Sequence, residues 1–92
     1  MDKKLKMKWV KALESGRYKQ TRTVLTDNYG YCCLGVLCRV AGVPKEKLRW
    51  ESTLGDVHQG KLLPSASMGK LIDMNDGGST FREIAAWIRE HL

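Results

Sequence analysis

No apolar run in this chain approaches the roughly 20 residues that a membrane-spanning helix requires. The N-terminal MDKKLKMKWV carries positive charge, but no hydrophobic stretch of the kind a secretion signal needs follows it. A cytoplasmic protein with reduced thiols is therefore expected, without a membrane partner. Histidine is scarce, with only His58 and His91 in 92 residues, which leaves a cysteine–histidine dyad without support. The two-residue spacer of a thioredoxin-like dithiol is missing, and so is the lysine of a phosphate-binding P-loop.

What the chain has is a concentration of cysteine. Within YCCLGVLCRVAGV, residues 31–43, three cysteines fall in seven positions beside a single charge, Arg39. Structural zinc sites present two close ligand pairs. Here Cys32 and Cys33 are adjacent, and Cys38 lies inside an apolar run. Cysteine is also among the most buried residue types. The stretch reads as core, with no metal, no cofactor and no catalytic residue assigned.

Charge is concentrated as well. The net charge is +6, and all of it sits in residues 1–25, where eight basic groups face only Asp2 and Glu14. Residues 26–92 are balanced, so the field is local and suited to an anionic partner. Lys4, Lys8 and Lys11 fall on one side of a helix expected over residues 3–15, and Leu5, Trp9, Ala12 and Leu13 fall on another. Gly16 stops that helix. The candidate anion-binding residues are Lys4, Lys8, Lys11, Lys19 and Arg22. The contrasting reading is a solvated face that keeps a small protein soluble.

The hydropathy pattern supplies the rest of the fold. Tyr18, Thr21, Thr23 and Val24, followed by Asp27-Asn28-Tyr29-Gly30, predict a short β-hairpin with a return strand over 31–33. Leu34, Val36, Leu37, Cys38, Val40 and Ala41 surround a helix axis, which predicts a buried central helix over 33–41. Residues 44–78 show little periodicity and read as a surface connection, with a helical turn in VPKEKLRW and a short helix over 67–73. Asn75-Asp76-Gly77-Gly78 reads as a turn rather than an anion cradle, because Asp76 would repel a phosphate. Phe81, Ile84, Ala85, Ile88 and Leu92 predict a helix over 80–91, capped by Thr80 with Glu83. The expected fold is a single α+β domain over residues 1–92, with three main helices packed around a short hairpin. The N- and C-terminal helices should pack on the central one, and Leu13, Leu34, Leu37, Val40, Phe81, Ile84 and Ile88 should form the core.

Two tryptophans stand apart as candidate protein-interface residues. Trp50 lies in the polar stretch LRWEST, and Trp87 flanks the apolar stripe of the last helix.

Three stretches in this order, KWVKALESGRYKQTRTVL, YCCLGVLCRVAGV and LIDMNDGGSTFREIAAWIREHL, resemble a group of small proteins encoded by bacteriophages and prophages. The likeness covers residues 1–43 and 71–92. It implies a short cytoplasmic accessory protein of an infected or lysogenic bacterium, not a virion part. The function expected on that basis is non-enzymatic: binding to a bacterial host protein and interfering with it, as in host takeover or anti-defence. The alternative is capture of nucleic acid or a signalling nucleotide by the basic N-terminal quarter.

Overall fold

A computed structural model describes residues 1–49 and 63–92 of the chain. Its described part contains five helices: α1 (Lys3–Glu14), α2 (Cys33–Val40), α3 (Lys45–Leu48), α4 (Ser65–Asp76) and α5 (Phe81–His91). Asp2 starts α1, its Oδ2 accepting the Leu5 N–H at 2.8 Å. Thr80 starts α5 with the expected capping box: its hydroxyl accepts from Glu83 N at 3.1 Å, while Glu83 Oε1 accepts from Thr80 N at 2.9 Å. The Thr80 N–H, with the Thr80 hydroxyl beside it, holds the Glu83 carboxyl below its usual range.

Among the described residues there is no strand, so the expected α+β fold with a hairpin is corrected to a mostly helical one. The reason lies in residues 19–33. Thr21 N donates to Tyr31 O and Tyr31 N donates to Lys19 O, both at 2.8 Å, which is a parallel bridge rather than an antiparallel return. The chain then bends at Thr23, whose φ of 72° is left-handed, and Thr26 meets Tyr31 again from the antiparallel side. One residue, Tyr31, thus takes the backbone pairings that a hairpin would spread along two strands. No room remains for a return strand, because Cys32 is already the N-cap of α2. The Asp27-Asn28-Tyr29-Gly30 signal is a side-chain turn instead: Asp27 Oδ1 accepts from Tyr29 N at 2.8 Å and from Gly30 N at 2.9 Å. Together with the Thr21 hydroxyl bonded to Oδ2, these contacts lower the Asp27 pKa.

The central helix is as expected. Cys33 through Cys38 are all buried, and Trp9 of α1 donates its indole N–H to the Cys33 carbonyl at 2.8 Å. Of the expected core residues, Val40 is only half-buried; the other six are buried. The C-terminal helix also differs from expectation. Its main partner is α1, not α2, while α2 packs on α1, α3 and α4.

Residues 44–78 hold more structure than their weak periodicity predicted. α3 occupies 45–48 as foreseen, and α4 is longer than the expected 67–73 at both ends. Asn75 and Asp76 belong to its last turn. The stop comes at Gly78, with φ +105°, and Ser79 N closes it by donating to Met74 O at 2.9 Å. Asn75 is fully buried and points back into the domain. Its Oδ1 accepts from Gln20 Nε2 at 2.9 Å and from Cys33 N at 3.2 Å, and its Nδ2 donates to Thr21 O at 2.8 Å. It therefore caps the start of α2 from a distant element, where Cys32 supplies no side-chain cap.

Candidate functional site

An α-helix repeats every 3.6 residues, so Trp9, Val10 and Leu13 share the inner face of α1, while Lys4, Lys8 and Lys11 share an outer one. All three lysines are exposed. Beyond Glu14 the chain turns sharply. The Ser15 hydroxyl donates to Ala12 O at 2.7 Å and accepts from Arg17 N at 3.1 Å, which brings Arg17 and Tyr18 back beside the helix end. Tyr18 is fixed there by an edge-on contact with Tyr31, ring centroids 5.2 Å apart at 85°. The Tyr31 ring carries Lys45 Nζ at 5.5 Å from its centroid.

Two open depressions result. One, of about 470 Å3, has Ala12, Tyr18 and Val40 as its apolar surface and Lys8, Lys11 and Arg17 as its charged rim. The second, of about 430 Å3, is lined by Lys3, Lys4, Met7, Lys8 and Lys11. They share Lys8 and Lys11, so they form one concave track along α1. The two acids of this quarter of the chain are engaged elsewhere. Asp2 caps α1, and Glu14 pairs with Arg89 of α5 at 2.9 Å. That is the only ion pair among the described residues, so none of the track's cations is neutralised by a carboxylate there.

The expected anion-binding set is thus brought together in part. Lys4, Lys8 and Lys11 line the track, but Lys19 and Arg22 do not. Lys19 is held by its backbone pairing with Tyr31. Arg22 precedes Thr23, whose N–H donates to Asp76 Oδ1 at 2.9 Å, which places it beside the acidic end of α4. Sequence reasoning left out Lys3, Met7, Arg17 and Val40. Arg17 was signalled by the helix stop at Gly16, which implies a chain reversal; the role of Val40 was masked by its apolar helix.

Of the candidate interface residues, Trp50 lies outside the described residues. Trp87 is half-buried and stacked on His91, with ring centroids 4.6 Å apart at an interplanar angle of 14°. The thiols are buried and free. Burial pushes Cys32 up to about 11, Cys38 up to about 12, and Cys33 well above its ordinary value. At neutral pH these are protonated side chains, not nucleophiles.

Fold and surface together define a small, mostly helical domain with a concave cationic track along its first helix. The model of a domain of unknown function (DUF8296) matches residues 1–65, and the chain belongs to that family. The matched part contains the whole track, from Lys3 to Val40, whereas nearly all of α4 and all of α5 lie beyond it. No curated protein and no solved structure matches the chain. No described helix is long and apolar enough to cross a membrane.

Proposed function

We propose that this protein is a non-catalytic binding protein that captures a phosphate-bearing ligand on the track along α1. One observation carries the reading. Lys3, Lys4, Lys8, Lys11 and Arg17 converge on two connected depressions, while the acids of the same chain segment are bonded elsewhere. Clustered cations in a concave surface concentrate the field and raise the local concentration of an anion. The resemblance to phage-encoded accessory proteins fits this reading: the host component bound would then be a nucleic acid or nucleotide rather than a protein. Docking through Trp50 and Trp87 has less support, since Trp87 is already stacked on His91.

The test is a salt series with a labelled single-stranded oligonucleotide. If all five cations meet phosphates, affinity falls about a hundredfold between roughly 50 and 200 mM salt. The double substitution Lys8→Glu/Lys11→Glu should abolish binding while the thermal midpoint stays close to the parent's. Salt-insensitive binding, or binding unaffected by the double substitution, refutes the proposal.

A further inference from the structure

We infer that the track seats two successive nucleobases of a single strand, with the phosphate between them on Lys8 and Lys11. This rests on the phosphate-binding reading above and deepens it. The two depressions are not uniformly charged. Each also has apolar lining, Tyr18 with Ala12 and Val40 in one and the exposed Met7 in the other. By helical spacing, the shared Lys8 and Lys11 fall between Met7 and Ala12 around α1. An inorganic polyanion has no use for the apolar patches, whereas a nucleotide chain alternates flat apolar faces with charge in the same order.

Spacing supports a step of two nucleotides. Met7 and Ala12 are five residues apart, about 7.5 Å along the helix. That is well beyond the roughly 3.4 Å between stacked bases of a duplex strand, so the bound step is an unstacked one. Tyr18 is preorganised for the first seat, because its edge contact with Tyr31 fixes the ring before any ligand arrives. The charged groups lining the depressions are donors, able to meet a phosphate or a base acceptor, and the Ser15 hydroxyl is already bonded to Ala12 O and Arg17 N. Among the described residues no asparagine, glutamine or carboxylate lines the depressions, and the seats hold bases mainly by stacking and apolar contact, which every base offers.

The experiment compares a labelled ten-residue thymidine oligonucleotide with an abasic oligonucleotide of equal length and charge, under one salt condition. A dinucleotide and a mononucleotide with matched phosphates serve as further probes. The base-bearing strand should bind at least tenfold more tightly than the abasic one, and the dinucleotide more tightly than the mononucleotide. Tyr18→Leu, which keeps an apolar side chain against Tyr31, should weaken the base-bearing strand about tenfold and leave the abasic strand unchanged. Met7→Ala, at an exposed position, should lower dinucleotide but not mononucleotide affinity. Equal binding of base-bearing and abasic strands overturns this inference and leaves phosphate capture standing; failure of both to bind overturns both. A mononucleotide that matches the dinucleotide overturns the two-base seat.

Discussion

Replacing Asn75 by alanine tests how the domain is assembled. The side chain is fully buried and joins three segments: the loop at Gln20 and Thr21, the first turn of α2 at Cys33, and α4 itself. Its removal leaves the buried Cys33 N–H without the acceptor that replaces an intrahelical partner, and strips the Thr21 carbonyl of its Nδ2 donor. A buried polar group orphaned in this way costs about 1–3 kcal/mol. Gln20 loses less, because its Nε2 also donates to Ser79 O at 2.7 Å. The expected total is about 3–4 kcal/mol, against a whole-domain stability of roughly 5–14 kcal/mol for this length. Urea unfolding followed by the tryptophan fluorescence of the chain, to which buried Trp9 contributes with Trp50 and Trp87, measures it. Asn75→Asp provides a second test, since it keeps an acceptor for Cys33 N but turns lone pairs toward Thr21 O and buries a carboxylate; it should be destabilised on both counts. An Asn75→Ala variant within about 1 kcal/mol of the parent would refute the assembly described.

Other positions give independent checks. In Gly35→Ala the new Cβ meets the backbone carbonyl of Leu25, which also accepts the Cys32 N–H at 3.0 Å. Helix propensity favours alanine by about 1 kcal/mol, but the clash should reverse the sign and destabilise by about 2 kcal/mol or more; a stabilised variant would disprove the close approach. Thr80→Ala removes the box at α5 and should cost about 1 kcal/mol, or roughly 4–8 °C of thermal midpoint. The buried thiols predict an alkaline limb. Below pH 9 both folded and unfolded chains keep the Cys32 proton; between 9.0 and about 11 only the folded chain does, so stability falls as pH rises through that window, by about 3 kcal/mol for Cys32. Cys32→Ala should flatten that limb relative to the parent, and an unchanged limb would contradict the burial. In the native state none of the three thiols should react with a thiol reagent at pH 7 on the timescale of mixing.

The helices that the sequence marked clearly are those whose own residues bury them. Phe81, Ile84, Ala85 and Ile88 form one stripe of α5, and Cys33–Cys38 are apolar on every side, so each pattern was legible without knowledge of a partner. The hairpin failed for a different reason. Residues 17–30 have strand-forming side chains, but their hydrogen bonds go to Tyr31, Asp27 and Asn75, partners that local propensity cannot see. Asn75 was hidden in the same way. Asn-Asp-Gly-Gly is a strong turn signal, and only the packing of α4 against α2 shows why the turn starts two residues later. The track was half legible: helical spacing grouped the lysines of α1, but the cations beyond Gly16 could be sorted only once the chain reversal placed Arg17 beside the helix and carried Arg22 away.

A solvated face and a binding face differ in what they do to the protein that carries them. α5 shows the first kind, with Arg82, Glu83, Arg89 and Glu90 mixed along it and Arg89 paired to Glu14. On α1 the exposed side chains Lys4, Lys8 and Lys11 repeat at spacings of four and three residues without an intervening acid, an arrangement that destabilises a helix by a few tenths of a kcal/mol per like pair. Solubility alone does not require that repulsion, because mixed charges hydrate as well. A ligand that brings phosphates to the track removes it, and α1 also carries Trp9 into the core, so relief on the outer face is felt by the whole domain. Binding and stability are then linked: a strand present at about a hundred times its dissociation constant should add roughly 2.7 kcal/mol to the unfolding free energy. A merely solvated face predicts no such gain, and a thermal midpoint indifferent to oligonucleotide would return these lysines to that simpler role.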